Sequence, residues 1–241
     1  VCEYALNKEN GPRFSPFLIP KIITDITSGV ISIRYGLKGP NYVTTSACAS
    51  STNAIIESYD QIRLGRADVI VAGGAEAAIC QLGVGGFNSM HALSLRNDDP
   101  KGASRPFSKS RDGFVVGEGA ACLILEEYEH AIARGAKIYA EIVGTGLTAD
   151  AYHITLPHPD GEGAYRVMKA ALDEAGLSPE DVDYINVHGT STPAGDIVEA
   201  KAKECSFELS FLAQYTGEDS EFDNENDKKL LSLIIVSFIF F

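Results

Sequence analysis

The chain has 241 residues, 45% of them apolar, 22% charged and 9% aromatic, a composition that excludes a disordered protein and leaves ample chain for a core. Acidic residues number 33 against 20 basic ones, a formal charge of −13, which argues against a non-specific nucleic-acid binder, since such a surface needs clustered Lys and Arg. The five cysteines (Cys2, Cys48, Cys80, Cys122 and Cys205) are odd in number and scattered, without a C-x-x-C pair. That spacing suits neither a disulfide framework nor a zinc site and points to a reducing compartment. The first residue is Val1 rather than Met, so the expectation is that the natural start, with any targeting signal, lies upstream.

In chain order, Ser50 to Gly65 is the first predicted helix, with Ile55, Tyr59 and Ile62 on one face and Arg63 and Gly65 suited to its end. Val69-Ile70-Val71-Ala72 is predicted as a buried strand stopping at Gly73-Gly74. Gly83-Val84-Gly85-Gly86 and Gly117-Glu118-Gly119 lack the order strand, G-x-G-x-x-G, helix, and read as tight turns rather than phosphate cradles. Asp98-Asp99 before Pro100 marks a turn. Ala120 to Leu125 is a second apolar run, followed by a helix from Glu127 to Arg134, and Ile138 to Val143 is strand-like. Glu162 to Ala175 is predicted helical, with Ala164, Val167, Met168, Ala171 and Leu172 as its buried stripe and Gly176 as its stop. After a turn at Ser178-Pro179, Tyr184 to Val187 is predicted as a strand delivering His188. The alternation argues for a layered α/β architecture.

The composition changes near residue 203. Eight acids and three bases occupy 203–241, and no Lys or Arg lies between Glu204 and Asp227. An apolar run from Leu230 to Phe241 follows. It is too short to cross a bilayer as a helix, which needs about 20 residues, so a frayed or foreign tail is expected rather than a membrane span.

Two positions carry nucleophilic chemistry. Cys48 lies among small residues in Val43-Thr44-Thr45-Ser46-Ala47-Cys48-Ala49-Ser50-Ser51, where a strand-like run turns into the Ser50 helix. Unpaired N–H groups and the positive end of the helix dipole there would lower the thiol pKa, although a small buried hydrophobe fits the same setting. His188 opens the polar loop Gly189-Thr190-Ser191-Thr192-Pro193-Ala194-Gly195-Asp196, where a neutral imidazole could donate to a developing oxyanion. Asp196 and Glu199 share one face of the following helix, either as charges complementing its dipole or as members of a site network. His153 sits in a loop between a strand and a helix; His91, His130 and His158 show no partner pattern.

Taken together, several stretches resemble one family. Thr45-Ser46-Ala47-Cys48-Ala49-Ser50, Ala67 to Glu76 (ADVIVAGGAE), Ser104-Arg105-Pro106-Phe107, Arg111 to Gly119 (RDGFVVGEG) and Val187 to Asp196 (VHGTSTPAGD) are similar to the elongating β-ketoacyl-[acyl-carrier-protein] synthases of fatty acid synthesis. The resemblance spans residues 1–202, as the end of an N-terminal half and the start of a C-terminal half, and leaves 203–241 as a divergent tail. It implies an α/β fold of thiolase-like type, layered α-β-α-β-α and incomplete in this chain, and a homodimer at full length. It also implies a decarboxylative Claisen condensation in which Cys48 is acylated and His188 stabilises the enolate formed from a malonyl thioester. Thr190 and Thr192 match hydroxyls that contact the pantetheine arm, and His153 and Thr155 a loop near its tunnel. Phe87 is expected to line the acyl cavity, and Asp196 and Glu199 to belong to the supporting network.

The implied partners are acyl-carrier protein and the acyl and malonyl thioesters it carries. The implied cofactor set is empty, with no metal, because the phosphopantetheine arrives on the carrier. Arg63, Arg66, Arg96, Lys101, Lys109 and Arg111 are the expected docking cations for that acidic partner, and a cytoplasmic or plastid setting is expected. The sequence departs from the family after Ala202. It contains no Lys in a Ser/Thr-Lys-Ser setting, no Gly-His-x-x-Gly-Ala segment with a second His, and no Gly-Phe-Gly-Gly loop, as if the tail were out of frame or a read-through. Two other classes stay open: a non-catalytic partner subunit that shapes a chain-length pocket, and another Cys-dependent acyl enzyme such as a thiolase or hydrolase.

Overall fold

A computed structural model describes residues 14–207 and 231–239. The chain divides into two compact units, Val1–Thr44 and Thr45–Phe241. The first contains two helices, α1 (Leu18–Ile22) and α2 (Ile26–Tyr35). Gly36 at φ +68° ends α2, and Asn41 ties the following segment back through Ser28, whose hydroxyl donates to Asn41 Oδ1 at 2.8 Å.

The second unit begins at a 3-10 turn, Ala47–Ala49, that runs directly into α3 (Ser50–Arg63). Ile56 and Ser58 are the buried residues of α3, while the predicted stripe of Ile55, Tyr59 and Ile62 is only half-buried. Strand β1 (Val69–Ala77) pairs antiparallel with β2 (Glu118–Glu126), from Val69↔Glu126 to Ala77↔Glu118. The strand predicted to stop at Gly73-Gly74 therefore continues through both glycines. They serve close packing instead: a Cβ on Gly73 would lie 2.2 Å from the Ala121 carbonyl oxygen, and one on Gly74 would lie 1.9 Å from Ser51 Oγ of α3. Nor is this strand deeply buried; Ala72 is, but Val69 is 44% exposed.

Between the strands lies α4 (Gln81–Ser89), which contains Gly83, Gly85 and Gly86. These glycines are helical, not turn formers, and Cys80 caps the helix by accepting the Gly83 N–H at 3.5 Å. Gly117 and Gly119 likewise lie at the entry to β2 rather than in a tight turn. Asp99 caps the short turn at Pro100–Gly102. Helix α5 (Tyr128–Ala133) starts where Glu127 accepts the His130 N–H at 2.7 Å. Hydrogen bonds from Arg134 and from the His130 ring hold the Glu126 carboxyl down to about 2.

Strand β3 (Ala140–Ala149) starts later and runs further than the predicted 138–143, passing through Gly144 and Gly146. The missing side chains let α6 (Glu162–Ala175) lie against it, since Cβ atoms there would fall 2.4 Å from the Ala171 carbonyl and 2.2 Å from that of Val167. All five stripe residues predicted for α6 are buried, and Gly176 caps the helix at φ +65°. Burying Val167, Met168 and Leu172 contributes about 1.5–3 kcal/mol each, and Ala202 of α7 (Pro193–Phe207) clusters with Ala164 and Met168. The 184–187 segment forms no ladder with any described strand, so the predicted strand before His188 is absent. The apolar run near the C-terminus is not a loose end. Leu231–Ile239 forms β4, parallel to β3 from Ala140↔Leu231 to Ala149↔Ile239, with a slip between Ile142 and Gly144. Its β-branched and aromatic residues suit a strand. No helix among the described residues is long and apolar enough to cross a membrane.

The two kinds of glycine are expected to respond oppositely to alanine. Gly73→Ala should destabilise the protein by about 1–3 kcal/mol, because backbone on the partner strand must shift. Gly85→Ala, with nothing within 4 Å of the new Cβ, should stabilise α4 by up to about 1 kcal/mol. Urea unfolding midpoints of the two variants check this.

Candidate active site

Cys48 occupies the centre of the 3-10 turn that opens α3. The turn is built by polar residues beside it. Ser50 Oγ accepts the Ser46 N–H at 2.9 Å and donates to the Ala47 carbonyl at 2.7 Å, and Asn53 Nδ2 donates to Ser46 Oγ at 2.7 Å. Ala47 is held at φ +49°, a left-handed conformation that costs an L-residue about 1–2 kcal/mol. Ser46 and Ala49 are buried, whereas Cys48 is exposed. The seat is fixed and the thiol is open.

His188 is the partner. Its ring and the Cys48 thiol share a hydrogen bond that lowers the thiol pKa below its ordinary value and raises that of the imidazole. This bond outweighs the desolvation that opposes both shifts, and the charge attraction adds to it. A backbone hydrogen bond to the thiol contributes least. The raised His188 pKa alters the expectation of a neutral ring, because in the free site the charged form is favoured by Cys48, with smaller contributions from Glu199 and Asp196.

Helix α7 holds the His188 loop from below. Glu199 accepts the N–H groups of His188 at 2.6 Å and Gly189 at 2.8 Å, replacing the sheet hydrogen bonds that this segment lacks. Asp196, 1% exposed, accepts the Phe107 N–H at 2.7 Å and pairs with Arg111 Nε at 3.2 Å through the same oxygen. The Thr190 and Thr192 hydroxyls bond each other at 2.9 Å. His153 turns inward on its own loop, where Nδ1 accepts the N–H groups of Thr155 and Leu156 at 3.1 and 3.2 Å. Phe87 packs edge-on against Phe114, with ring centroids 5.1 Å apart. The structure thus joins Cys48, His188 and Glu199 directly, and Asp196 through the loop; His153 bonds within its own loop and Phe87 packs on Phe114.

Three of the expected docking cations, Arg63, Arg96 and Arg111, are engaged within the fold; Arg96 donates to the Ser110 carbonyl at 3.1 Å. Arg111 is 12% exposed and donates to the carbonyls of Ser108, Thr192 and Pro193, so it is an interior residue. Arg63 bonds Glu174. Arg66, Lys101 and Lys109 are exposed. Among the described residues no group of three or more His, Cys, Asp and Glu side chains could hold a metal ion. The sequence reading missed Ser46 and Asn53 as builders of the turn, although Ser46 and Ser50 bracketing a Cys at a helix start are a capping signal.

An imidazole-paired cysteine at the head of a helix, on an α/β frame, is the arrangement of an enzyme that forms a covalent thioester. Residues 3–131 match the β-ketoacyl synthase N-terminal domain and residues 139–210 its C-terminal domain, so the chain belongs to the β-ketoacyl synthase family. It is 56% identical over 195 residues to the 3-oxoacyl-[acyl-carrier-protein] synthase 2 of a Synechocystis strain, covering 80% of this chain and 47% of that one. The Staphylococcus aureus protein of the same name is 53% identical over 200 residues, covering 83% and 49%. A crystal structure of a β-ketoacyl synthase from Burkholderia phymatum superposes with a TM-score of 0.76 at 43% identity, covering 80% of this chain and 47% of that one. A type II polyketide ketosynthase in complex with its acyl-carrier protein gives 0.79 at 36%, covering 86% and 52%. The chain spans about half the length of the curated relatives it matches.

Alkylation of Cys48 should rise with pH through a midpoint below that of an ordinary thiol, because the hydrogen bond to His188 lowers its pKa. His188→Ala should move that midpoint upward. Cys80 and Cys122 are also exposed, so exposure alone would label all three thiols alike. Peptide mapping after limited alkylation near neutral pH is expected to find Cys48 labelled first.

Proposed function

We propose that this chain is the nucleophile-bearing part of a 3-oxoacyl-[acyl-carrier-protein] synthase, and that Cys48 receives the acyl chain from acyl-carrier protein. The observation that carries the reading is the Cys48–His188 pair at the head of α3. A soft nucleophile that must later leave is better served by thiolate than by alkoxide. In the acylation step the Cys48 thiolate attacks the carrier thioester carbonyl, and the tetrahedral adduct collapses to expel the pantetheine thiolate. The His188 imidazolium gives its proton to that leaving sulfur, so the site ends as acyl-Cys48 and a neutral ring.

That proton transfer sets up the second half-reaction. Once Cys48 is a thioester, the main influence holding the proton on His188 is gone. The ring then offers a neutral N–H to the enolate oxygen that forms as a malonyl thioester loses carbon dioxide, without protonating its carbon. The enolate carbon attacks the acyl-Cys48 carbonyl, and the thiolate departs. Thr190 and Thr192 lie two and four residues beyond His188 in the same loop, which suits contacts to the pantetheine arm. The chemistry asked of the site calls for no further cofactor than the arm carried by the partner.

Carrier docking on exposed Arg66, Lys101 and Lys109 fits this reading, and one structural neighbour is itself a ketosynthase bound to its carrier protein. A cytoplasmic or plastid setting fits the free thiols of Cys48, Cys80 and Cys122. Dimerisation at full length is supported by large apolar side chains left on the surface, Ile124 at 60% exposure and Leu82 at 86% among them. A non-catalytic subunit would have no use for a thiol paired with an imidazole, which favours the catalytic reading.

The 241 residues contain one of the two imidazoles that the family resemblance places on the enolate. Loss of a positioned donor at such a site costs about 3–4 kcal/mol, or about 10²–10³ in rate. This chain is therefore expected to acylate itself slowly on incubation with labelled acyl-carrier protein, in a reaction abolished by Cys48→Ala, and to release no β-ketoacyl product with malonyl-carrier protein. Release of free acid would indicate a hydrolase, and no labelling a non-catalytic subunit.

A further inference from the structure

Arg111 is the most heavily engaged cation of the described chain, and nothing in its sequence setting marks it as such. Its guanidinium donates to three backbone carbonyls: Nε to Thr192 at 3.0 Å, one terminal nitrogen to Ser108 at 2.8 Å and the other to Pro193 at 2.6 Å. Nε also lies 3.2 Å from Asp196 Oδ2. Both side chains are largely or wholly buried, and Asp196 Oδ1 makes no hydrogen bond at all. A cation beside the first turn of α7 opposes the helix dipole, so helix electrostatics do not account for its position. The carbonyls it holds do, because two of them belong to the end of the His188 loop.

The same loop is gripped at its middle by the segment that carries Arg111. Ser191 is fully buried at φ +64°, a conformation uncommon for a residue with a side chain. Its Oγ accepts the Arg105 N–H at 3.0 Å, and its carbonyl accepts the Gly113 N–H at 3.0 Å. Thr190 and Thr192 flank Ser191, and Glu199 fixes the loop at His188 and Gly189. Every residue from His188 to Pro193 thus has a backbone or side-chain bond to a neighbour in this array, with Arg111 closing the far end.

We infer that Arg111 is a positioning residue: by clamping Thr192 and Pro193 to Ser108 and Asp196, it fixes the loop that aims the His188 ring at Cys48 and sets the two threonine hydroxyls. The inference rests on the proposed role of Cys48 and His188. A planar fork reaching three carbonyls and a carboxylate is a task for guanidinium, and an ammonium at this position satisfies only part of it. The loop would then relax, the ring would drift from the thiol, and the thiol would lose its acidifying partner.

The test is the pH profile of Cys48 alkylation in Arg111→Lys and Arg111→Gln, beside wild type, His188→Ala and Val167→Ala. The last removes buried volume from α6 and serves as a control for loss of stability alone. Both Arg111 variants are expected to move the midpoint upward in the direction of His188→Ala and to slow alkylation at neutral pH about tenfold, the effect of one pKa unit on the thiolate fraction. Val167→Ala is expected to leave the midpoint where it is. A low wild-type midpoint that Arg111→Lys and Arg111→Gln leave unmoved would overturn the inference while sparing the catalytic pair. An ordinary midpoint in wild type would overturn the reading of the pair itself, and this inference with it. If neither of these variants unfolds cooperatively, Arg111→Met takes their place, since it keeps the apolar stem and removes the donor fork; the same upward shift is expected, and an unmoved midpoint overturns the inference.

Discussion

The hydrogen bond between the Cys48 thiol and the His188 imidazole joins two segments from far apart in the chain, and most of the second unit serves to keep it in place. Each partner stabilises the charged form of the other, so neither is activated without it. On one side, the serines and Asn53 of the 3-10 turn hold Cys48, and Gly74 lets Ser51 of α3 sit directly on β1. On the other, α7 presents Glu199 and Asp196 to the loop that bears the ring.

The placement of acidic groups follows from the same interaction. A chain of formal charge −13 has many carboxylates that could raise the pKa of a nearby thiol. The two closest to the site are committed to backbone N–H groups and to Arg111, so they act as structural acceptors more than as charges facing the sulfur. Their small influence on His188 favours the imidazolium, which helps the thiolate rather than opposing it.

The helices of this fold were legible where the 3.6-residue period was strong. The α6 stripe from Ala164 to Leu172 and its Gly176 stop follow from side-chain size and spacing alone. Glycine was where the reading failed, for one physical reason. Gly73, Gly144 and Gly146 sit in strands where another backbone approaches them closely, and Gly74 where the Ser51 side chain does, facts of tertiary packing with no local signature. The segment before His188 has the composition of a strand but no described partner to pair with, and β4 finds a partner despite lying outside the family pattern. At the site, Cys48 and His188 could be singled out from their neighbours in sequence, but not their mutual contact. Arg111 read as a surface cation, because nothing in RDGF announces that three carbonyls will converge on its side chain.

The pairing is reciprocal, so it can be tested from the imidazole rather than the thiol. Nuclear magnetic resonance titration of the His188 ring, in the unmodified protein and in Cys48→Ala, measures the influence of the thiolate on its partner. The account predicts that the His188 midpoint lies above that of an ordinary histidine in the unmodified protein and falls once the sulfur is removed. A midpoint that is the same in both proteins would show that the ring does not sense Cys48, and would contradict the charge pair on which the site depends.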